Sequence, residues 1–410
     1  MKGAPPISNG RPTTHDRQSE LMPIDAETFV LFRDAVERFV RERLIPRERE
    51  IAQLEAPPQD LLDEVRNLGL FGLCYPESYG GLGLNPIQEV EIGFELGRAS
   101  PAMRNFISIH NGVAGQCLSR AGTPAQKDRF MPRLASGEMI AAFALTEPDS
   151  GSDARSIKTR AERTGQGWVL NGQKRFISNA SFAGLFTVFA QVREASEKPS
   201  ISGFLVEAGT KGMSFGNPER KMGQHGAPIS DVIFEDCYVA DDALLGGKPG
   251  IGLDAAMKGL DRGRLFIAAC CVGLAYRLIE NATDYANGRV QFGVPIARHQ
   301  LIQALLADSL TEAYAARGMV ENAARKAGRG EPISCEASMC KLFATEMVGR
   351  VADRAVQVHG GNGYIADYMV EQLYRDVRVL RIYEGTSQIQ QVIIAKSLVA
   401  RRLNGELLSS

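Results

Sequence analysis

The apolar residues of this 410-residue chain change their period twice, from 3.6 to 2 and back to 3.6, and few folds accommodate that order. From Asp25 the pattern is helical: Phe29, Phe32, Val36 and Phe39 share one stripe, while the Arg and Glu residues between them face solvent. Pro46 is expected to break this run. A second amphipathic run covers residues 60–70, and a turn-rich link with three glycines occupies 76–86. Helical patterning resumes over 87–96, 114–118 and 125–134. Between about 147 and 239 the period is two. There, Trp168 to Ile177 reads as two short strands around an Asn171-Gly172 turn, the strongest short hairpin signal. Residues 185–192, 201–207 and 230–234 add β-branched and aromatic strand material, with no βαβ alternation. Long Ala-rich helices are expected at 252–287, 299–326, 335–358, 367–377 and 387–402, and short links between them imply an antiparallel bundle.

So long a chain exceeds one simple core. The expected fold is α+β: a tail (1–24), an N-terminal helical domain (25–142), a small β domain built as a barrel or orthogonal sheets (143–250), and a C-terminal four-helix-bundle domain (251–410). A formal net charge of -1 with 23% charged residues offers no excess of either sign to draw nucleic acid or a membrane surface. The longest apolar stretches, 139–145 and 265–274 among them, fall short of a bilayer span. Residues 1–21 are polar, lack a secretory core, and are expected to be disordered. Cys74, Cys117, Cys237, Cys270, Cys271, Cys335 and Cys340 are odd in number, mostly in apolar context and without CxxC spacing. They read as buried thiols of a cytoplasmic protein. The histidines (His15, His110, His225, His299, His359) lack metal-ligand spacing, so no metal is expected.

Five segments invite a chemical reading. Residues 250–255 imitate a dinucleotide fingerprint, but a Gly-Gly-Lys-Pro loop precedes them where a parallel strand is required, so they read as a loop entering a helix. Residues 142–153 carry Thr146, Glu147, Asp149, Ser152 and Asp153 in one loop. Its N–H groups and hydroxyls suit a flavin edge and a pyrophosphate, and an interdomain turn with Asx and Ser caps suits them equally. Residues 289–295 offer Arg289 for a phosphate and Phe292 for adenine, or simply a helix end followed by a Pro link. Residues 357–364 end a helix with three glycines, which serves close ligand approach or plain termination. In 382–390, Ser387 and Gln390 read as an S-x-x-Q capping box, which leaves Glu384 and Gly385 unexplained.

Taken in this order and spacing, the segments at 142–153, 289–295, 357–364 and 382–390 resemble the acyl-CoA dehydrogenase family over about residues 27–402. The resemblance implies FAD contacts from Phe143, Leu145, Thr146 and Ser152, the last also near CoA. It places Phe176, Ile177 and Ser178 against the isoalloxazine, Phe176 standing where the family often has Trp. Arg289, Gln291, Phe292, His299 and Gln300, with Gln357, Gly360 and Gly361, match positions that bind pyrophosphate and adenine across a subunit interface, so a homotetramer or dimer is implied. Thr386, Ser387 and Gln388 complete the cofactor set. Asp261, Arg264, Tyr383 and Gly385 fall where substrate binds. By the same resemblance Glu384 removes the α-proton of an acyl-CoA thioester while the β-hydride passes to flavin, giving a trans-2-enoyl-CoA, and an electron-transfer flavoprotein accepts the electrons.

That chemistry asks for a carboxylate well above its ordinary pKa of about 4.3, raised by desolvation, and for donors that polarise the thioester carbonyl. Some family members carry the base on the 261–264 helix instead, at the position held here by Gly263, which cannot serve. Arg104, four residues before Ser108, resembles the arginine by which glutaryl-CoA-type members hold a distal carboxylate. It implies an anionic acyl chain, and an exposed helix-end arginine is its ordinary alternative. Two rival functions are an acyl-CoA oxidase on this scaffold and a non-catalytic helical interaction protein.

Overall fold

The computed structural model describes residues 24–54, 56–192 and 200–407, so the expected tail lies outside the described residues except for Ile24. Seven helices come first: α1 (Ala26–Phe39), α2 (Glu48–Gln53), α3 (Gln59–Asn67), α4 (Pro86–Gly97), α5 (Pro101–Ser108), α6 (Gly115–Ala121) and α7 (Pro124–Ala135). Side chains cap several of their starts, as expected for N-cap residues. Asp25 accepts from Glu27 N and Thr28 N, and Asn85 and Thr123 form capping boxes with Gln88 and Gln126. Pro46 does not end the first helix outright. A π-helical turn (Val40–Leu44) and a 3-10 turn (Ile45–Arg47) carry the chain round it into α2, because Pro46 occupies the start of a turn, where no N–H is needed.

The period-two region forms one curled sheet from β1 (Ala141–Ala144), β2 (Arg160–Thr164), β3 (Gly167–Ser178), β4 (Leu185–Val192), β5 (Ser200–Glu207), β6 (Met213–Phe215) and β7 (Ile229–Ala240). The strand order is β1-β4-β2-β3-β7-β6, with β5 on β4. The expected hairpin at Asn171-Gly172 is not there. β3 runs straight through it, and the reversal comes between Thr164 and Gly167. Asn171 instead exchanges hydrogen bonds with Asp236 across the β3–β7 pair, 3.2 Å and 2.9 Å. Gly172 sits at the register shift because a Cβ there would come within 2.6 Å of the Thr159 hydroxyl. An Asn-Gly pair marks a bulge as readily as a turn.

The chain then becomes helical again: α8 (Gly252–Gly288), a small hairpin of β8 (Val290–Gln291) and β9 (Val294–Pro295), α9 (Gln300–Gly328), α10 (Ser334–His359), α11 (Met369–Val377) and α12 (Ser387–Leu403). At 37 residues, α8 contains a stretch long and apolar enough to cross a membrane, yet that stretch is 78% buried inside the protein. It is the spine of the molecule. Leu265 and Val272 feed the bundle core, Phe266 and Cys270 the N-terminal core, and Ala255 and Ala256 the cluster beneath the sheet.

Buried polar contacts join the parts. His110 accepts Ala141 N at Nδ1 and donates from Nε2 to Leu134 O, 3.0 Å each, and burial lowers its pKa to about 4, so it stays neutral. Arg277 on α8 makes a two-pronged salt bridge to Glu48 on α2, 2.6 and 2.7 Å, with both side chains under 10% exposed. Replacing Arg277 with Met strands a buried carboxylate and should cost roughly 3–5 kcal/mol in chemical denaturation. The double variant with Glu48→Met should lose less than Arg277→Met alone, since no orphaned charge remains.

Candidate active site

The loop from Ile382 to Thr386 crosses the side of α8 near its first third. Glu384 and Gly385 are both left-handed there, at φ 53° and 89°. Gly adopts this conformation freely and Glu only at a cost of about 1–2 kcal/mol, which contacts from elsewhere offset for Glu384. Three donors do so from three helices. Arg264 Nε on α8 donates to Glu384 O at 3.3 Å, Lys341 Nζ on α10 to Gly385 O at 2.8 Å, and Gln390 Nε2 on α12 to both carbonyls at 3.1 and 3.0 Å. With the carbonyls taken up by protein, the Glu384 N–H donates to nothing among the described residues.

The Glu384 carboxyl lies over Gly263: a Cβ on that glycine would stand 2.9 Å from Oε2. The absent side chain is what makes room for it. Oε2 is buried without a hydrogen-bond partner. Burial raises the pKa of Glu384 to about 7, against the opposing pull of Arg264, Lys341 and Arg104. A carboxylate that is desolvated yet flanked by cations can be half-ionised at neutral pH.

Arg104 is 2% exposed, which removes the surface-arginine reading. Its Nη2 donates to Tyr383 Oη at 3.1 Å, its Nη1 is buried without a partner, and no carboxylate forms an ion pair with it among the described residues. Tyr383 Oη in turn donates to Asn105 Oδ1 at 3.4 Å. From Asn105 the contacts run through Gln224 to Asp376, which Ser100 meets at 3.1 Å. Burial raises the pKa of Asp376 despite these donors.

The 142–153 loop is fastened to β3. Lys174 Nζ, fully buried, meets Glu147 Oε1 at 2.6 Å and Leu145 O at 3.1 Å, and Arg175 N donates to Thr146 O at 2.8 Å. Phe143, Leu145 and Thr146 therefore stand beside Phe176, Ile177 and Ser178. Phe176 has a left-handed φ of 57° and is 51% exposed. Asn179 reaches from the end of β3 to Phe106 O on α5 and Ala141 O on β1, at 3.5 and 3.4 Å, which places this edge next to the helix that carries Arg104. Ser152 is exposed.

Other expected residues are placed differently. The cap of α12 is Thr386, which accepts Ile389 N at 3.3 Å, so the expected Ser387–Gln390 capping box does not form. Ser387 is buried and donates to Glu346 at 2.6 Å, while Gln390 serves the 384–385 turn and Gln388 is exposed. The helix starts at Ser387 as expected, with its cap one residue before the expected one. Asp261 and Arg264 pair with each other at 2.9 Å. Arg289, Gln291, Phe292, His299 and Gln300 lie past the far end of α8, and Phe292 is 94% exposed. Gln357, Gly360 and Gly361 join them there, since the adjoining His359 stacks on Tyr285 at 4.3 Å and Asn362 bonds its hydroxyl at 2.9 Å. At 1.5 Å per residue, Arg264 and Arg289 are roughly 37 Å apart along the helix. Lys341, Gln224 and Lys174 carry no expectation from the sequence, and Gln390 carries one only as part of a helix cap. The one sequence signal for Lys341 is its place between apolar neighbours (Met339, Cys340, Leu342, Phe343), and a lone lysine on a helix ordinarily faces water.

Residues 26–138, 142–237 and 250–399 match the models for the N-terminal, middle and C-terminal domains of acyl-CoA dehydrogenase. An acyl-CoA dehydrogenase of Bacillus subtilis is 41% identical over 370 residues, 90% of this chain and 97% of that one. A caffeyl-CoA reductase-Etf complex subunit of Acetobacterium woodii is 38% identical over 90% of this chain and 97% of its own length. The glutaryl-CoA dehydrogenase of Mycobacterium smegmatis superposes with a TM-score of 0.86 at 30% identity, covering 92% and 95% of the two chains.

Because Glu384 has its pKa raised on folding, its stability contribution is complete below the unfolded value of about 4.3 and is lost as pH rises through about 7. Glu384→Gln removes the charge that must be buried. Its melting temperature should match the parent at about pH 4 and exceed it increasingly up to about pH 8; a pH-independent difference would contradict a buried, titrating carboxyl.

Proposed function

Since the chain belongs to the acyl-CoA dehydrogenase family of FAD-dependent oxidoreductases, we propose that Glu384 is the base that takes the α-proton from an acyl-CoA, giving a trans-2-enoyl-CoA. The observation that carries this reading is the Glu384 carboxyl itself, its Oε2 buried over Gly263 without a partner and its pKa raised to about 7. Its backbone N–H, left without a protein partner by the left-handed turn, suits the thioester carbonyl as one oxyanion donor. Arg264 and Gln390 keep that N–H aimed by holding the carbonyls of the same turn.

FAD, when bound, supplies the acceptor for the β-hydride. The residues present fit it. The Thr146 and Ser178 hydroxyls have no partner among the described residues, Phe176 offers an exposed aromatic face beside them, and the Arg175 Nε is buried and unpaired. The second set, Arg289, Gln291 and Phe292 with Gly360 and Gly361, lies too far along α8 for one FAD to reach both sets in a single chain. The flavin site is thus completed by a second copy, in a homodimer or homotetramer. The relative that is part of an Etf complex supports an electron-transfer flavoprotein as electron acceptor. A cytoplasmic location fits the seven unpaired thiols, six of them buried.

The acyl chain ends in an anion. Arg104 is a buried cation with one guanidinium nitrogen unpaired, which costs several kcal/mol unless an anion meets it, and Tyr383 fixes its fork. The structural likeness to a glutaryl-CoA dehydrogenase is in keeping with this reading.

Anaerobic flavin bleaching with glutaryl-, butyryl- and octanoyl-CoA tests both claims. Glutaryl-CoA should be preferred, and Arg104→Met should raise its KM roughly 10²-fold while sparing butyryl-CoA; preference of the parent for an uncharged chain refutes the anionic end. Glu384→Gln should slow bleaching roughly 10²–10⁴-fold, and the parent's acid limb should centre on about 7. Phe292→Ala, at a residue with almost no contacts of its own, should leave the melting temperature of the flavin-free chain unchanged and lower the flavin retained after gel filtration.

A further inference from the structure

Lys341 lies wholly inside the protein on α10, and its ammonium makes one hydrogen bond, to Gly385 O at 2.8 Å. That carbonyl already has a neutral donor in Gln390 Nε2 at 3.0 Å. A buried ammonium is expensive to keep where an amide suffices, so satisfying the carbonyl does not account for it. What the charge faces does. Its charged and titratable neighbours are Glu384 on the turn, Cys271 and Arg264 on α8, and Glu346 one turn along α10; Glu346 is itself engaged by Arg381 and Ser387. Of the cations around Glu384, Arg264 is tied to Asp261, and Arg104 points its hydrogen bond at Tyr383. Lys341 alone among them has no carboxylate within ion-pair distance and no side-chain hydrogen-bond partner among the described residues, and it sits directly under the turn.

We propose that Lys341 is a positioning residue for proton abstraction: its buried ammonium, seated on the Gly385 carbonyl, holds the left-handed turn and supplies a positive charge at neutral pH that keeps the Glu384 carboxylate available as a base. This rests on Glu384 being that base. The step it serves is one proton moving from the substrate α-carbon to a Glu384 carboxylate oxygen, and Lys341 neither gains nor loses a proton in it. Removing the charge while keeping a donor separates its field from its hydrogen bond.

The experiment uses the flavin-loaded enzyme and a 3-thia-acyl-CoA, whose β sulfur leaves no hydride to transfer, and follows deuterium entry at the α-carbon in D2O against pH. In Lys341→Gln the acid limb should move up by about one unit and exchange at neutral pH should fall roughly 10²-fold, with little change in KM. Lys341→Met should show the same upward limb, and Lys341→Arg should return it to the parent's position. A limb in Lys341→Gln that coincides with the parent's overturns the proposal, whatever happens to the melting temperature, because a purely structural lysine would alter stability alone. Undiminished exchange in Glu384→Gln would instead overturn the assignment of the base itself.

Discussion

The architecture depends on how closely α4 and α8 approach. A Cβ at Gly97 would stand 2.2 Å from Cys270 O, one at Gly273 2.0 Å from Phe94 O, and one at Gly93 2.9 Å from the Ala269 methyl. These separations are impossible for any other residue without moving a helix, so the two backbones touch. With that contact made, the middle of α8 is packed by the N-terminal helices, the sheet and the bundle. Its length then becomes a ruler that places every other part of the site.

One end of the ruler carries the proposed base. Gly263 and Arg264 meet the 384–385 turn, α5 brings Arg104 to the neighbouring Tyr383, and the end of β3 packs against α5. Several unfavourable features are concentrated here: a non-glycine residue in a left-handed conformation, a buried carboxyl without a partner, and buried cations. Each costs stability by itself. They persist together because opposite charges and carbonyl donors offset one another, and because the helices bearing them are fixed by packing elsewhere.

The buried polar chain from Arg277 through Glu48, Ser100, Asp376, Gln224 and Asn105 to Tyr383 ties α8, α2, α5, α11, the loop between β6 and β7 and the turn into one unit. Such a network is stable only when every member is satisfied. It therefore specifies the orientation of Tyr383, and through it Arg104, more sharply than apolar contacts would. The other end of α8 carries exposed Phe292 and the glycines at 360 and 361, and a single chain cannot bring the two ends together.

Periodicity alone determined the α, β, α order and most helix positions, because burying one face of a helix or strand leaves its imprint at local spacing. Glu384 stood out only against the expected Ser387–Gln390 cap and through the family resemblance. Local signals misled where a distant partner prevailed: Asn171-Gly172 became a bulge against Thr159 and Asp236, and the α12 cap moved to Thr386 as Gln390 was taken by the turn. Lys341 and the burial of Arg104 could not be read from the chain, since both ordinarily face water and only packing shows that they do not. The sequence by itself determined the order of helical and strand regions and offered Glu384, Gly385 and Arg104 as groups to explain. Only the tertiary structure decided their charge states and reach, because desolvation and distance belong to the folded arrangement and not to any stretch of residues.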